Sequence, residues 1–275
     1  MLPPCIKSLA GLVGLTLSPD NAMRAALIAN LLPVDGVDVV VLCEAFDSVA
    51  CDALTQGLKA RGLPYSSPVR PPSAGHVTGS GLCVVSRYPI TSCEERPFGF
   101  CLSARDDCLA DKAVVHCAIA HPRAVVHVFA THTQAWNQPA CEQARRGQLL
   151  CVRQFMDAVA ADGSVVVVAG DMNICRYAAP ASYLAMLDTL GCVDAVDPGD
   201  ARSFNAGSNE LARSGPSSGG VSEHLDYILV RQGAVGLDGG VLRVKAAECL
   251  GTWNGRALFD VSDHYPVRAR LALAL

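Results

Sequence analysis

The chain has 275 residues, 51% of them hydrophobic and 17% charged, with 22 Lys and Arg against 26 acidic residues and a net charge of −4. That length fits one large domain with a packed core, and the composition excludes disordered, collagenous and low-complexity proteins. No basic run is long enough to neutralise a nucleic-acid backbone, so no stable nucleic-acid partner is expected. The longest apolar runs, such as Leu9–Leu17 and Val165–Ala169, reach at most half of the ~18 to 20 residues that a membrane span needs.

In chain order, the first feature is Lys7–Leu17, one positive charge followed by a short apolar run, the pattern of a weak signal peptide. The compartment stays open between a soluble, a secreted and a membrane-peripheral protein. Thirteen cysteines are present without a C-x-x-C pair, which argues against zinc or a redox motif. Cys43, Cys83 and Cys117 sit in apolar runs, where cysteine behaves as a small buried hydrophobe. Cys101, Cys108 and Cys141 form a local cluster with room for one disulfide in an exported protein.

Short β-branched runs predict strands over Asp38–Cys43, Gly81–Ser86, Ala113–Ala120, Ala124–Thr131, Ser164–Gly170, Leu225–Val230, Leu242–Ala247 and Pro266–Leu273. Several are continuous and Val-rich, as strands buried on both faces are. Helical patterns cover Asn21–Leu32, with Asp20 as its N-cap, then Ser48–Ala60, Pro139–Ala160 and Ala181–Leu190. Four helices among eight strands point to sheets packed face to face with helices outside. Ser203–Val221, rich in Ser, Gly and Asn without periodicity, reads as a long surface loop.

Polar residues stand where the apolar strands end or begin, a placement that burial penalises unless function or hydrogen bonding offsets it. Glu44 follows D-V-V-V-L-C, and His132 ends V-H-V-F-A-T-H. Asp171 and Asn173 follow V-V-V-V-A-G, Asp226 opens D-Y-I-L-V, and Asp263 with His264 stands in S-D-H-Y-P-V. Each alone has a plain structural use, as a helix cap or a core histidine. Together, two histidines, four carboxylates and an amide are what metal-assisted hydrolysis requires.

The ordered set V-L-C-E-A-F-D, G-L-C-V-V-S-R-Y-P-I, T-H-T-Q-A, A-G-D-M-N, E-H-L-D-Y-I-L and S-D-H-Y-P-V resembles the endonuclease/exonuclease/phosphatase superfamily, from about Pro19 to Leu273. Within it, E-A-F-D and T-H-T-Q-A resemble the neutral sphingomyelinases of the bacterial sphingomyelinase C type. The resemblance implies an α+β fold, a four-layer αββα sandwich, in one phosphodiesterase domain over residues 1–275. It also implies a Mg²⁺-dependent phosphodiesterase that cleaves sphingomyelin to ceramide and phosphocholine, with Mn²⁺ as the alternative metal. Glu44 would hold the cation, with Asp263 beside it; a hard cation takes oxygen ligands and keeps several waters. His264 would be the general base and Asp226 its orienting carboxylate. Asp171 and Asn173 would position water and phosphate, and His132 would donate to the phosphoryl oxygens. Asp107 and Lys112 keep an Asp-x-x-x-x-Lys spacing that faces the phosphate in that family, although an ordinary solvated loop is an equal reading. A Cys141 link to Cys101 or Cys108 is implied on the same grounds for an exported protein.

Two departures from the family pattern shape further expectations. The family's first core strand, with its site asparagine, precedes a segment that resembles Met1-Leu2-Pro3, so that strand is expected to be missing here, with Cys5–Thr16 filling its place without its chemistry. The segment Cys249–Asp260 offers only Trp253, Leu258 and Phe259 as apolar anchors, worth ~5 kcal/mol at most before ordering costs. Weak docking of a monomer at a membrane surface that presents the phospholipid is therefore expected. The alternatives are a nuclease or phosphoinositide phosphatase on the same scaffold, and a catalytically impaired lipid-binding protein.

Overall fold

The computed structural model describes residues 21–99, 106–161, 164–197, 199–214, 220–231, 234–253 and 256–273. Asp20, the Cys5–Thr16 segment and the side chains of Cys101 and Cys108 lie outside the described residues. Helix α1 (Asn21–Leu31) leads to β1 (Val39–Leu42) and then α2 (Ser48–Ala60). Asp47 caps α2, its carboxylate accepting from Ala50 N at 2.9 Å. Strands β2 (Tyr65–Ser66) and β3 (Cys83–Ser86) complete a three-stranded sheet in the order β1-β3-β2. Alternation along β3 sends Cys83 and Val85 toward α1 and α2, and Leu82 and Val84 toward the second sheet.

The second sheet begins with β4 (Ile90–Pro97) and β5 (Ala113–His121), separated by a short 3₁₀ turn at Asp106–Leu109, and continues with β6 (Ala124–His132). A long helix α3 (Pro139–Val159) follows, then β7 (Val165–Asp171), α4 (Pro180–Leu190) and β8 (Val193–Asp194). Next come β9 (Phe204–Asn205), α5 (Glu210–Ser214), β10 (Ser222–Glu223) and β11 (Asp226–Val230). The six-stranded order is β4-β5-β6-β7-β11-β8, antiparallel except for the parallel β6–β7 pair. One face carries α3 and α4, whose Phe155, Met156 and Met186 pack on Phe129 and Leu229 of the sheet. The other packs Val115, Cys117, Ile119 and Val128 against Leu82 and Val84, which gives the αββα layering.

The chain closes with β12 (Ala234–Val241), the β13–β14 hairpin (Thr252–Trp253 with Arg256–Ala257) and β15 (Val267–Leu273), which pairs with β12. A cleft of about 1460 Å³ is lined, among the described residues, by Val39–Leu42 of β1 and by Val267, Ala269 and Leu271 of β15.

Two expectations need correction. Leu242–Ala247 is not a strand; the strand is the preceding Ala234–Val241, because Pro266, opposite Leu242, accepts its N–H but has none to return. Ser203–Val221 is not a loop throughout. Ser203 and Asn209 are fully buried, and Asn209 Oδ1 caps α5 by accepting from Leu211 N and Ala212 N.

Candidate active site

The register of the central sheet places the polar residues side by side. Asp171, at the end of β7, lies opposite His132 on one side and Asp226 on the other. Three neighbouring strands thus deliver a histidine and two carboxylates to one end of the sheet. His132 Nε2 stands 3.6 Å from Asp171 Oδ2. Its Nδ1 is buried without a hydrogen-bond partner among the described residues. The chain turns sharply after β7, with Asn173 at φ 49°, its N–H donating to Asp171 Oδ1 (2.8 Å) and its amide to Thr133 O (2.9 Å).

His264 reaches this end from the segment before β15. Its Nδ1 pairs with Asp226 Oδ2 at 2.7 Å, which fixes the ring and leaves Nε2 to act. Phe204 packs on the ring, with centroids 5.2 Å apart. Ser203 Oγ accepts from Leu225 N and Asp226 N and so holds the start of β11. Asp171, Asp226 and His264 bring one ligating atom each within 4.8 Å of one another. Glu44 and Asp263 line the same cleft.

Among the described residues the positive-φ positions other than glycine are Glu44, Trp136 and Asn173, and all three line this cleft. Such conformations cost about 1–3 kcal/mol each and persist where the surroundings impose them.

The electrostatics are those of too many carboxylates in one place. Loss of solvent and then the Asp226 charge push Asp171 up to about 7. The protein crowding Glu44, followed by Asp263 beside it, pushes Glu44 up to about 8. Burial alone would lower His264, but Asp226, with Asp171 and Asp263, holds it protonated well above its ordinary value. Asp226 responds in kind: burial works to raise it, and His264 keeps it below the usual range. His132 is pushed down by burial, then by Lys112 and His264, so it is neutral. A hard divalent cation would relieve this excess of negative charge, and Glu44 with Asp263 beside it offers the oxygen ligands such a cation takes.

Lys112 is buried and pairs with Asp107 at 3.1 Å. Asp107 Oδ2 also accepts from Gln134 Nε2 and Ala135 N, both at 2.8 Å. These two residues therefore tie their segment to the turn after His132, rather than forming a solvated loop.

Arg145 and Gln148 were not singled out from sequence. Arg145 donates to Gln134 O, Trp136 O and Asn137 Oδ1, and Gln148 Oε1 accepts from Gln134 N, so α3 carries the turn that follows His132. The signal was present: both fall on the buried stripe of α3 with Cys141, Leu149 and Val152, where charge is costly without partners.

The family model described as Endonuclease/Exonuclease/phosphatase family matches residues 14–264. A sphingomyelinase C of Bacillus cereus is 27% identical over 92% of this chain and 83% of its own length. The crystal structure of sphingomyelinase C from Streptomyces griseocarneus superposes with a TM-score of 0.78 at 28% identity, covering 97% of this chain and 95% of that one. A beta toxin variant of Staphylococcus aureus, crystallised with bound magnesium ions, superposes at 0.81 with 25% identity and 94% of each chain covered.

Proposed function

This chain belongs to the endonuclease/exonuclease/phosphatase family, and within it we propose that it is a Mg²⁺-dependent phosphodiesterase that hydrolyses sphingomyelin to ceramide and phosphocholine. The observation that carries this reading is the convergence of His264–Asp226, Asp171, Asn173 and His132 at one end of the sheet's central strands. The sphingomyelinase relatives, similar over nearly the whole chain, favour this substrate over DNA or inositol phosphates. The reading treats residues 1–275 as one phosphodiesterase domain acting as a monomer on lipid presented at a membrane surface, without a nucleic-acid partner. Among the described residues no helix is long and apolar enough to cross a membrane.

Glu44, with Asp263 beside it, would hold the cation, or Mn²⁺ in its place. A bound divalent cation supplies a Lewis acid for a phosphate oxygen and offsets the carboxylate charge that keeps His264 protonated. His264 Nε2 takes the proton from the attacking water while Asp226, on Nδ1, orients the ring and shares the resulting charge. Asp171 and Asn173 position the water and the phosphate. His132 donates to the phosphoryl oxygens as charge develops, and Lys112, held by Asp107, faces the same phosphate.

The test is phosphocholine release from sphingomyelin vesicles with Mg²⁺ and with EDTA, beside phosphatidylcholine vesicles, single-stranded DNA and an inositol polyphosphate. Mg²⁺-dependent release from sphingomyelin above all other substrates is expected. Equal or faster turnover of DNA or the inositol polyphosphate would replace the substrate assignment, and absence of turnover on every substrate would point to a lipid-binding protein.

A further inference from the structure

Strand β4 is the outer strand of the six-stranded sheet, and its Cys93 lies directly opposite Cys117 of β5. The two sulfurs are 3.3 Å apart, with the Cys117 thiol donating to Cys93 Sγ. Opposed residues of an antiparallel ladder hold their Cα atoms about 4.5 to 5.5 Å apart, inside the span of roughly 4.4–6.8 Å that a disulfide bridges without backbone movement. The two thiols differ in access. Cys117 is fully enclosed between the sheets, whereas Cys93 is half-buried at the sheet's edge.

We propose that Cys93 and Cys117 form a reversible disulfide by exchange with a small-molecule disulfide, stapling β4 to the sheet. Cys93 loses its proton and attacks one sulfur of the small disulfide, whose S–S bond breaks and whose leaving thiolate takes up a proton. Cys117 then loses its proton and attacks Cys93 Sγ in the mixed disulfide, releasing the second small thiol. Two protein thiols and one disulfide thus become one protein disulfide and two thiols. Access assigns Cys93 the first attack, and the hydrogen bond from Cys117, which lowers the Cys93 thiol below its ordinary value, favours the same order. The other close pair, Cys51 with Cys83, is buried at both sulfurs and offers an oxidant no entry.

The staple would bear on the site's border. The same strand pair ends at Pro97 opposite Ala113, and Phe98 N donates to Lys112 O at 2.9 Å, so it frames the segment that carries Asp107 and Lys112.

The test is to incubate the reduced, folded, full-length protein with oxidised glutathione, alkylate remaining thiols and map peptides without reduction. Exposed Cys151 and Cys249 serve as internal controls for the oxidant. The expected result is a Cys93–Cys117 cross-linked peptide, lighter by two hydrogens than its reduced parts and separated by dithiothreitol. In Cys117→Ser the exchange should stall with glutathione on Cys93. The proposal is overturned if both thiols are recovered singly alkylated while Cys151 and Cys249 carry glutathione, or if the link forms only in denaturant. Wild-type mapping decides the matter even where the serine variant does not fold.

Discussion

At the scale of the residue, the two site histidines differ in kind although the sequence presents them alike. Asp226 holds His264 in the charged form, and burial beside Lys112 holds His132 neutral. Such opposed environments are how one site divides proton transfer from hydrogen-bond donation. His264→Ala and His132→Ala are each expected to lower kcat by ~10² to 10⁴-fold, with KM less affected and a cooperative unfolding transition retained. Steady-state kinetics with thermal unfolding checks this, and retention of more than about a tenth of wild-type turnover would remove the role. Glu44→Gln keeps the side chain's shape and removes the charge, so the Mg²⁺ activation midpoint should move to higher concentration more than for any other single carboxylate change. Asp47→Asn is the matched control, because Asp47 spends its carboxylate on the N-cap of α2 and should alter stability alone. An activation midpoint unmoved in Glu44→Gln would sink the assignment.

At the scale of the element, legibility followed how strongly the sequence pattern matched one backbone period. The helix Ser48–Ala60 was readable because a capping aspartate precedes an apolar stripe, and β7 because uninterrupted valines mark a strand covered on both faces. Strand β4 was missed: Ile-Thr-Ser-Cys-Glu-Glu-Arg-Pro lies at an edge, mostly exposed, so burial never selected an apolar pattern there. Strand β12 was missed because its three glycines supply no side chains to read, and pairing with β15 decides its state. In the site, strand ends were legible because polar residues interrupt apolar runs, whereas Arg145, marked only by its place on the buried stripe of α3, shows its use once the turn that carries its partner Gln134 is folded against it. The close approach of β7 to β6 also has a definite requirement. Gly170 has φ +141°, and a Cβ there would lie 1.9 Å from Thr131 O. Gly170→Ala should therefore force apart the strands that carry His132 and Asp171. Its expected outcome is a loss of stability of several kcal/mol, on the order of ~3, together with loss of turnover. A denaturant midpoint equal to wild type would show that the sheet yields there without cost.

At the scale of the whole molecule, the folded chain confines more negative charge at one end of the sandwich than its own His264 and Lys112 neutralise. A carboxyl with a raised folded pKa contributes stability that is fully present below its unfolded pKa and is lost as pH rises through the folded value. For Asp171 that loss runs from about 3.8 up to about 7, and for Glu44 from about 4.5 up to about 8. Without a divalent cation, the two groups thus weaken the protein as pH rises through that interval. A cation competes with protons for the same oxygens, so its binding strengthens across that interval and its stabilisation grows with it. The rise in thermal midpoint produced by a fixed excess of Mg²⁺ should accordingly be small near pH 6 and larger near pH 8.5. Glu44→Gln should flatten the upper part of that rise, since the amide has no proton to lose, while Asp47→Asn should leave its slope alone. Differential scanning calorimetry with Mg²⁺ and with EDTA at each pH measures the difference directly. A Mg²⁺ increment that is constant across the range, or unaltered in Glu44→Gln, would show that these raised carboxyls are not where the cation's stabilising energy originates.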